Sequence, residues 1–258
     1  MLFAHGFGCD QTMWRHVASA FEADHKVVLF DHVGAGGSDL TAYRRGKYAT
    51  LAGYAADMLE ICDALDLRGI VFVGHSVGAM IGALAAIQRP ERFASLVLVA
   101  PSPRYINDGD YYGGFAQQDI DGLMELLDSN YMAWASMLGP TIMGNPDRPE
   151  LASELTSSFC RYDPEIARQF ARVTFTSDNR ADLPKLKQPT LILQCSQDSV
   201  APEAVGEYMH RHVPDSLLVK LKATGHCPNL SAPEETIAAI RAFVPSGGPP
   251  GGLRAASR

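Results

Sequence analysis

Short apolar runs recur along the chain and alternate with longer stretches whose apolar positions fall three or four residues apart. The short runs predict β-strands at Met1–Ala4, Lys26–Phe30, Ile70–Val73, Leu96–Ala100, Thr190–Gln194 and Leu217–Leu221. Runs such as "VVLF" and "TLILQ" show no polar alternation, which is the pattern of strands covered on both faces. Strands separated by helical stretches predict an α/β fold, a mostly parallel sheet flanked by crossover helices. The stretch 51–67 places Tyr54, Met58, Ile61 and Leu65 at helical spacing, as a face packed on that sheet.

Between Ser102 and Leu183 the strand signal disappears and about four helical segments follow one another. Asp147 with Pro149, and Asp163 with Pro164, read as N-cap and first-turn signals for two of them. Large apolar residues crowd this segment, Phe115, Trp134, Met137, Phe159 and Phe175 among them. Two readings stay open: an internal core stripe, or the inner face of a helical cap over the open end of the sheet. The expected organisation is one domain over 1–244, with a core of 1–101 and 184–244 and a cap of 102–183. The Pro- and Gly-rich stretch 245–258 is expected to be a disordered tail.

The 258 residues, 47% hydrophobic, suffice for one large core. A net charge of −7 without a run of Lys or Arg argues against nucleic acid as a partner. Every hydrophobic run is broken well short of the roughly 18 residues that span a bilayer, and the start shows no basic lead with an apolar h-region, so neither membrane nor secretion is expected. Cys9, Cys62, Cys160, Cys195 and Cys227 are odd in number and show no CxxC spacing, which fits free thiols in the cytoplasm and no metal site.

Candidate chemistry centres on "VFVGHSVGAM" (71–80), a strand running into Gly-His-Ser-Val-Gly and then into a small-residue helix. GxSxG alone is weak, since about one chain in ten of this length would contain it by chance. The strand-turn-helix setting is what makes Ser76 a candidate nucleophile on a sharp elbow, with Gly74 and Gly78 permitting close backbone approach. A serine hydroxyl needs a base, and His226 in "KATGHCP" follows the last predicted strand. Asp198, after the preceding strand, can orient that imidazole or cap the helix starting near Pro202. The order Ser, Asp, His is the one expected of α/β-hydrolases. For the oxyanion, the backbone N–H groups of Val77 and Phe7 are the candidates, the latter from "AHGFG" (4–8). The glycine-rich "FDHVGAGGSD" (30–39) fails as a dinucleotide loop because Asp39 stands where the last glycine belongs, so no cofactor is expected.

The segments "HGFGCDQTMW", "FDHVGAGGSDL", "VFVGHSVGAM", "APSPRYINDGDYYGGF", "DPEIARQF", "SDNRADL" and "ATGHCP" together resemble the RsbQ-type stress-signalling hydrolases, relatives of the plant strigolactone and karrikin receptors. The resemblance runs from Met1 to about Val244. It implies an α/β-hydrolase fold with a four-helix cap, the triad Ser76, Asp198 and His226, and an oxyanion hole at Phe7 and Val77. It implies an enclosed apolar pocket for a small apolar ester or lactone, for which Phe7, Phe115, Trp134, Met137, Phe159, Phe175 and Cys227 are the expected lining. It also implies a positive regulator acting with a PAS-domain phosphatase on a general-stress sigma factor. The alternatives are a ligand receptor of the strigolactone or karrikin type and a carboxylesterase without a signalling role. Family members open with an antiparallel hairpin before the "HGFG" strand. Without it, "KVVLF" is expected as an exposed sheet edge, and the true start of the protein is expected upstream of Met1.

Overall fold

The computed structural model describes residues 1–244, and the expected tail at 245–258 lies outside the described residues. Six parallel strands, β1 (Leu2–Ala4), β2 (Val28–Leu29), β3 (Ile70–His75), β4 (Phe93–Val99), β5 (Thr190–Gln197) and β6 (Ser216–Thr224), form one sheet in the order β2-β1-β3-β4-β5-β6. All six sit where the apolar runs predicted them. β1 and β3 are buried at every position, as strands covered on both faces must be. β2 is shorter than "KVVLF" because it pairs only with β1, at the sheet edge, and its residues are half-buried.

A single helical turn, α1 (Arg15–Ala18), precedes the first long crossover helix, α2 (Leu51–Ala64). α2 ends before the predicted 67, and its buried face is Tyr54, Met58 and Cys62 rather than a stripe reaching Leu65, which is 46% exposed. The chain leaves the helix there, with Asp66 at φ +44°. α3 (Val77–Gln88) follows β3 directly and is buried along almost its whole length.

Four helices lie between β4 and β5: α4 (Gln117–Ser129), α5 (Tyr131–Met143), α6 (Pro149–Cys160) and α7 (Pro164–Thr176). Asp163 caps α7 as read from the sequence, accepting from the amides of Glu165 and Ile166. Asp147 does not cap α6. It lies inside the Asn145–Arg148 turn, one position too early, and Arg148 stands at the cap without a side-chain capping bond, its guanidinium donating to Asn145 Oδ1 instead. The chain leaves and re-enters the core at one point, where Arg104 pairs with Asp178 and the Asn179 amide donates to the Pro103 carbonyl. α8 (Glu203–His212), α9 (Pro228–Ser231) and α10 (Pro233–Phe243) complete the fold. No helix among the described residues is long and apolar enough to cross a membrane.

The glycine-rich 30–39 stretch folds around the Asp31 carboxylate, which accepts from the Gly37 amide and from both nitrogens of Gln11. Next to it, two imidazoles join the ends of β1 and β2. His5 Nδ1 donates to the Gly6 carbonyl and Nε2 accepts from the His32 amide, while His32 Nε2 donates to the His5 carbonyl.

His5, His32 and His75 are all buried, and burial pushes each imidazole below its ordinary range, His75 to about 3. The unfolded chain therefore binds more protons below pH 6.5. Stability from these groups is complete above that pH and is lost as pH falls, at up to about 1.4 kcal/mol per pH unit for each histidine. Calorimetric melting should show Tm falling steadily between pH 6.5 and 4. A flat Tm over that interval would contradict the neutral burial of these rings.

Candidate active site

Three strand ends meet at one edge of the sheet. Ser76 directly follows β3, Asp198 directly follows β5, and His226 lies two residues beyond β6. Parallel strands bring their carboxyl ends to the same side, so residues far apart in sequence converge there. Ser76 sits at the apex of the turn with φ 54° and ψ −126°, outside the regions a serine ordinarily adopts. Its amide donates to the Val99 carbonyl at 2.9 Å. The turn is sharp because α3 lies against the sheet. A Cβ at Gly74 would meet the Phe72 ring at 2.6 Å, and one at Gly78 would sit 2.4 Å from the His5 carbonyl oxygen.

His226 Nε2 lies 2.8 Å from Ser76 Oγ and its Nδ1 lies 2.7 Å from Asp198 Oδ2. All three side chains are buried. Asp198 accepts from the amides of Val200 and Ala201 through Oδ1, which closes the turn after β5; it does not cap the following helix, which begins at Glu203 with Pro202 at its cap and no side-chain capping bond. With Asp198 accepting, Nδ1 of His226 carries the proton and Nε2 is free to accept from the serine hydroxyl.

The sequence reading missed what holds the histidine loop. His75 Nε2 donates to the His226 carbonyl at 2.8 Å, and the His226 amide donates to the Ile142 carbonyl at the end of α5. Asn145 Nδ2 donates to the carbonyls of Met143 and Thr224, tying the same helix end to β6. For His75 the available signal was its place inside the Gly-His-Ser-Val-Gly motif. For Asn145 no local signal existed, because its partner lies 79 positions away.

The amides of Phe7 and Val77 face no acceptor among the described residues. The Phe7 ring is a hub, with Trp134, Phe159, Tyr162, Phe170 and Phe175 at centroid distances of 5.5–6.4 Å. The cavity at Ser76 is only about 20 Å³, the room of a single water. Phe7, Phe159, Phe175 and Cys227 line it as expected, together with Tyr105, Ile142, Thr174 and Val200.

Three expected pocket residues lie elsewhere. Trp134 is fully buried behind Phe7 and Phe159. Met137 is 45% exposed, and with Phe115 it lines a separate groove of about 630 Å³ between α4 and α5. Apolar residues on all sides of α5 look alike in sequence, and only its packing assigns Ile142 to the cavity and Met137 to the groove. Ile142, Phe175 and Val200 form a shared wall between the two spaces.

Tyr105, whose hydroxyl lies 3.5 Å from Ser76 Oγ, was missed as a site residue because it sits in an irregular loop without periodicity. Cys9 and Cys227 flank the cavity as thiols, the first pushed up to about 12 by burial and the second well above its usual range. All five cysteines are free. Among the described residues no His, Cys, Asp or Glu cluster gathers in the manner of a metal site.

The family model described as alpha/beta hydrolase family matches residues 1–239. A probable esterase from Oryza sativa subsp. japonica is 43% identical over 238 residues, covering 92% of this chain and 88% of its own. A karrikin insensitive 2 receptor from Petunia hybrida is 40% identical with the same coverage of both chains. The solved structure of a hydrolase from Oleispira antarctica superposes with a TM-score of 0.92 at 41% identity, covering 94% of this chain and 89% of that one.

Gly78→Ala should destabilise the protein by about 1–3 kcal/mol in urea unfolding, because its Cβ must displace the His5 carbonyl or α3. A variant as stable as the parent would show that the turn has more room than the geometry indicates.

Proposed function

The chain belongs to the alpha/beta hydrolase family, and on that premise we propose a cofactor-free serine hydrolase of small apolar esters or lactones with Ser76, His226 and Asp198 as its catalytic triad. The observation that carries this reading is the unbroken line from Ser76 Oγ to His226 to Asp198, at 2.8 and 2.7 Å, closed from solvent. Ser76 Oγ attacks the carbonyl carbon as its proton passes to His226 Nε2. Asp198 stabilises the imidazolium and keeps its orientation. The tetrahedral oxyanion takes the two uncommitted amides of Phe7 and Val77. His226 then protonates the departing alcohol. A water, deprotonated by the same nitrogen, releases the acyl group from Ser76.

The cavity is too small for any ester, so substrate enters only when the wall of Ile142, Phe175 and Val200 shifts and the cavity joins the groove between α4 and α5. Phe7, Phe159 and Phe175 favour an apolar acyl group. The cytoplasm is the proposed compartment, supported by five free thiols.

A second reading is a ligand receptor of the karrikin type that keeps its triad. The identity to a karrikin insensitive 2 receptor and to a probable esterase supports it over the stress-signalling regulator with a PAS-domain phosphatase.

With 4-nitrophenyl acetate, the parent protein should release nitrophenolate and show a transient acetyl adduct by intact mass. Ser76→Ala should lose about a thousandfold or more in kcat without unfolding, and Asp198→Asn should lose a comparable factor. Retained turnover in the alanine variant would remove Ser76 from the role of nucleophile.

For the receptor reading, saturating karrikin should raise the Tm of Ser76→Ala protein by several degrees. No shift at any concentration tested would leave the esterase reading alone.

A further inference from the structure

Thr174 lies in α7, is 2% exposed and lines the cavity at Ser76. Its hydroxyl has no hydrogen-bond partner among the described residues. That is unusual for a helical threonine, whose hydroxyl ordinarily returns to the carbonyl four residues back. Thr141, Thr176 and Thr236 do so here, bonding to Met137, Arg172 and Ala232 at 3.0, 2.7 and 3.0 Å. For Thr174 the equivalent carbonyl is Phe170, and that bond is not made.

An unpaired hydroxyl in a buried apolar wall costs free energy, and a valine would fill the same volume without that cost. The other cavity-facing hydroxyl outside the proposed triad, Tyr105, already reaches Ser76 Oγ at 3.5 Å. Thr174 is therefore the hydroxyl of the cavity without a partner among the described residues.

We infer that Thr174 Oγ1 is a specificity-determining contact that selects substrates carrying a second oxygen on the acyl side. The inference rests on the serine-hydrolase reading above. After attack the acyl group stays attached to Ser76 in the cavity, enlarged by the shift of the Ile142, Phe175 and Val200 wall, whereas the alcohol leaves towards the groove. A hydroxyl in that enclosed wall meets the acyl chain. An ether, carbonyl or hydroxyl oxygen there satisfies Thr174, and an all-carbon chain leaves it unpaired. The chemical class that fits is an oxygenated short-chain ester or lactone rather than a plain alkanoate.

The test uses two matched pairs of 4-nitrophenyl esters in which one methylene is replaced by oxygen: butanoate with methoxyacetate, and pentanoate with 3-methoxypropanoate. The leaving group is constant, and intrinsic reactivity cancels when each oxygen-to-carbon ratio of kcat/KM is divided by that of the parent protein. Thr174→Val should lower that ratio about five- to tenfold in at least one pair, by loss of one hydrogen bond. Thr174→Ser, which keeps the hydroxyl and loses the methyl, should stay close to the parent. A purely structural role would change both members of a pair alike and leave the ratio fixed.

Unchanged ratios in Thr174→Val overturn the inference while leaving the hydrolase reading intact. A serine variant that behaves like the valine variant also overturns it, because shape and not the hydroxyl would then decide. If the folded parent protein cleaves none of the four esters, the hydrolase reading fails and this inference falls with it.

Discussion

The close approach of α3 to the end of β3 is the constraint on which the site depends. The helix begins one residue after Ser76 and lies so near the sheet that side chains at Gly74 and Gly78 would collide with Phe72 and with the His5 carbonyl. The chain reverses within that space only by placing Ser76 at φ 54°. Such a conformation is held by its surroundings, here a strand and a helix buried along almost their whole length and the bond from the Ser76 amide to Val99. The same turn brings the hydroxyl to the cavity and leaves the first helical amide, at Val77, without a backbone acceptor among the described residues. The positions of the Ser76 hydroxyl and of the Val77 amide thus share one backbone cause.

The histidine is held differently, by parts of the chain that no local rule connects. Its carbonyl is bound by His75, its amide by the end of α5, and its ring by Asp198. Because α5 also supplies Ile142 to the cavity wall, a displacement that opens the cavity there acts on the loop that carries His226. Cap position and the position of His226 are therefore linked through the Ile142 carbonyl. In an esterase this couples substrate entry to assembly of the catalytic geometry, and in a receptor it makes cavity occupancy visible on the outer face of the cap.

The cavity is apolar on most sides and nearly closed, which sets what it can hold and when. Phe7 contributes at two levels: its ring meets the cap aromatics edge-on or tilted beside the cavity at Ser76, and its amide has no acceptor among the described residues. Against this lining the few polar atoms carry disproportionate weight, since each is desolvated and each must find a partner or remain costly.

The sequence by itself determined the layer order and the strand ends. Short apolar runs between helical stretches mark the strands, though "VVLF" became a half-buried edge rather than a strand covered on both faces, and parallel strands send their carboxyl ends to one edge, so Ser76, Asp198 and His226 were legible as three strand-end residues in one order. The cap was legible as four helices because helical periodicity is local, as was the Asp163 cap. Which cap residues face the cavity was not. Trp134, Met137 and Ile142 sit on one helix and differ only in the direction each takes from its axis, which is set by how α5 packs on α6 and on the histidine loop. Phe115 joined Met137 in the groove from the irregular loop before α4, where no periodicity assigns a face. His75, Tyr105 and Thr174 acquired their roles only in three dimensions. A hydrogen bond across 151 positions, a hydroxyl brought to Ser76 by a loop, and a hydroxyl left without a partner are properties of tertiary contact, and residue type alone does not carry them.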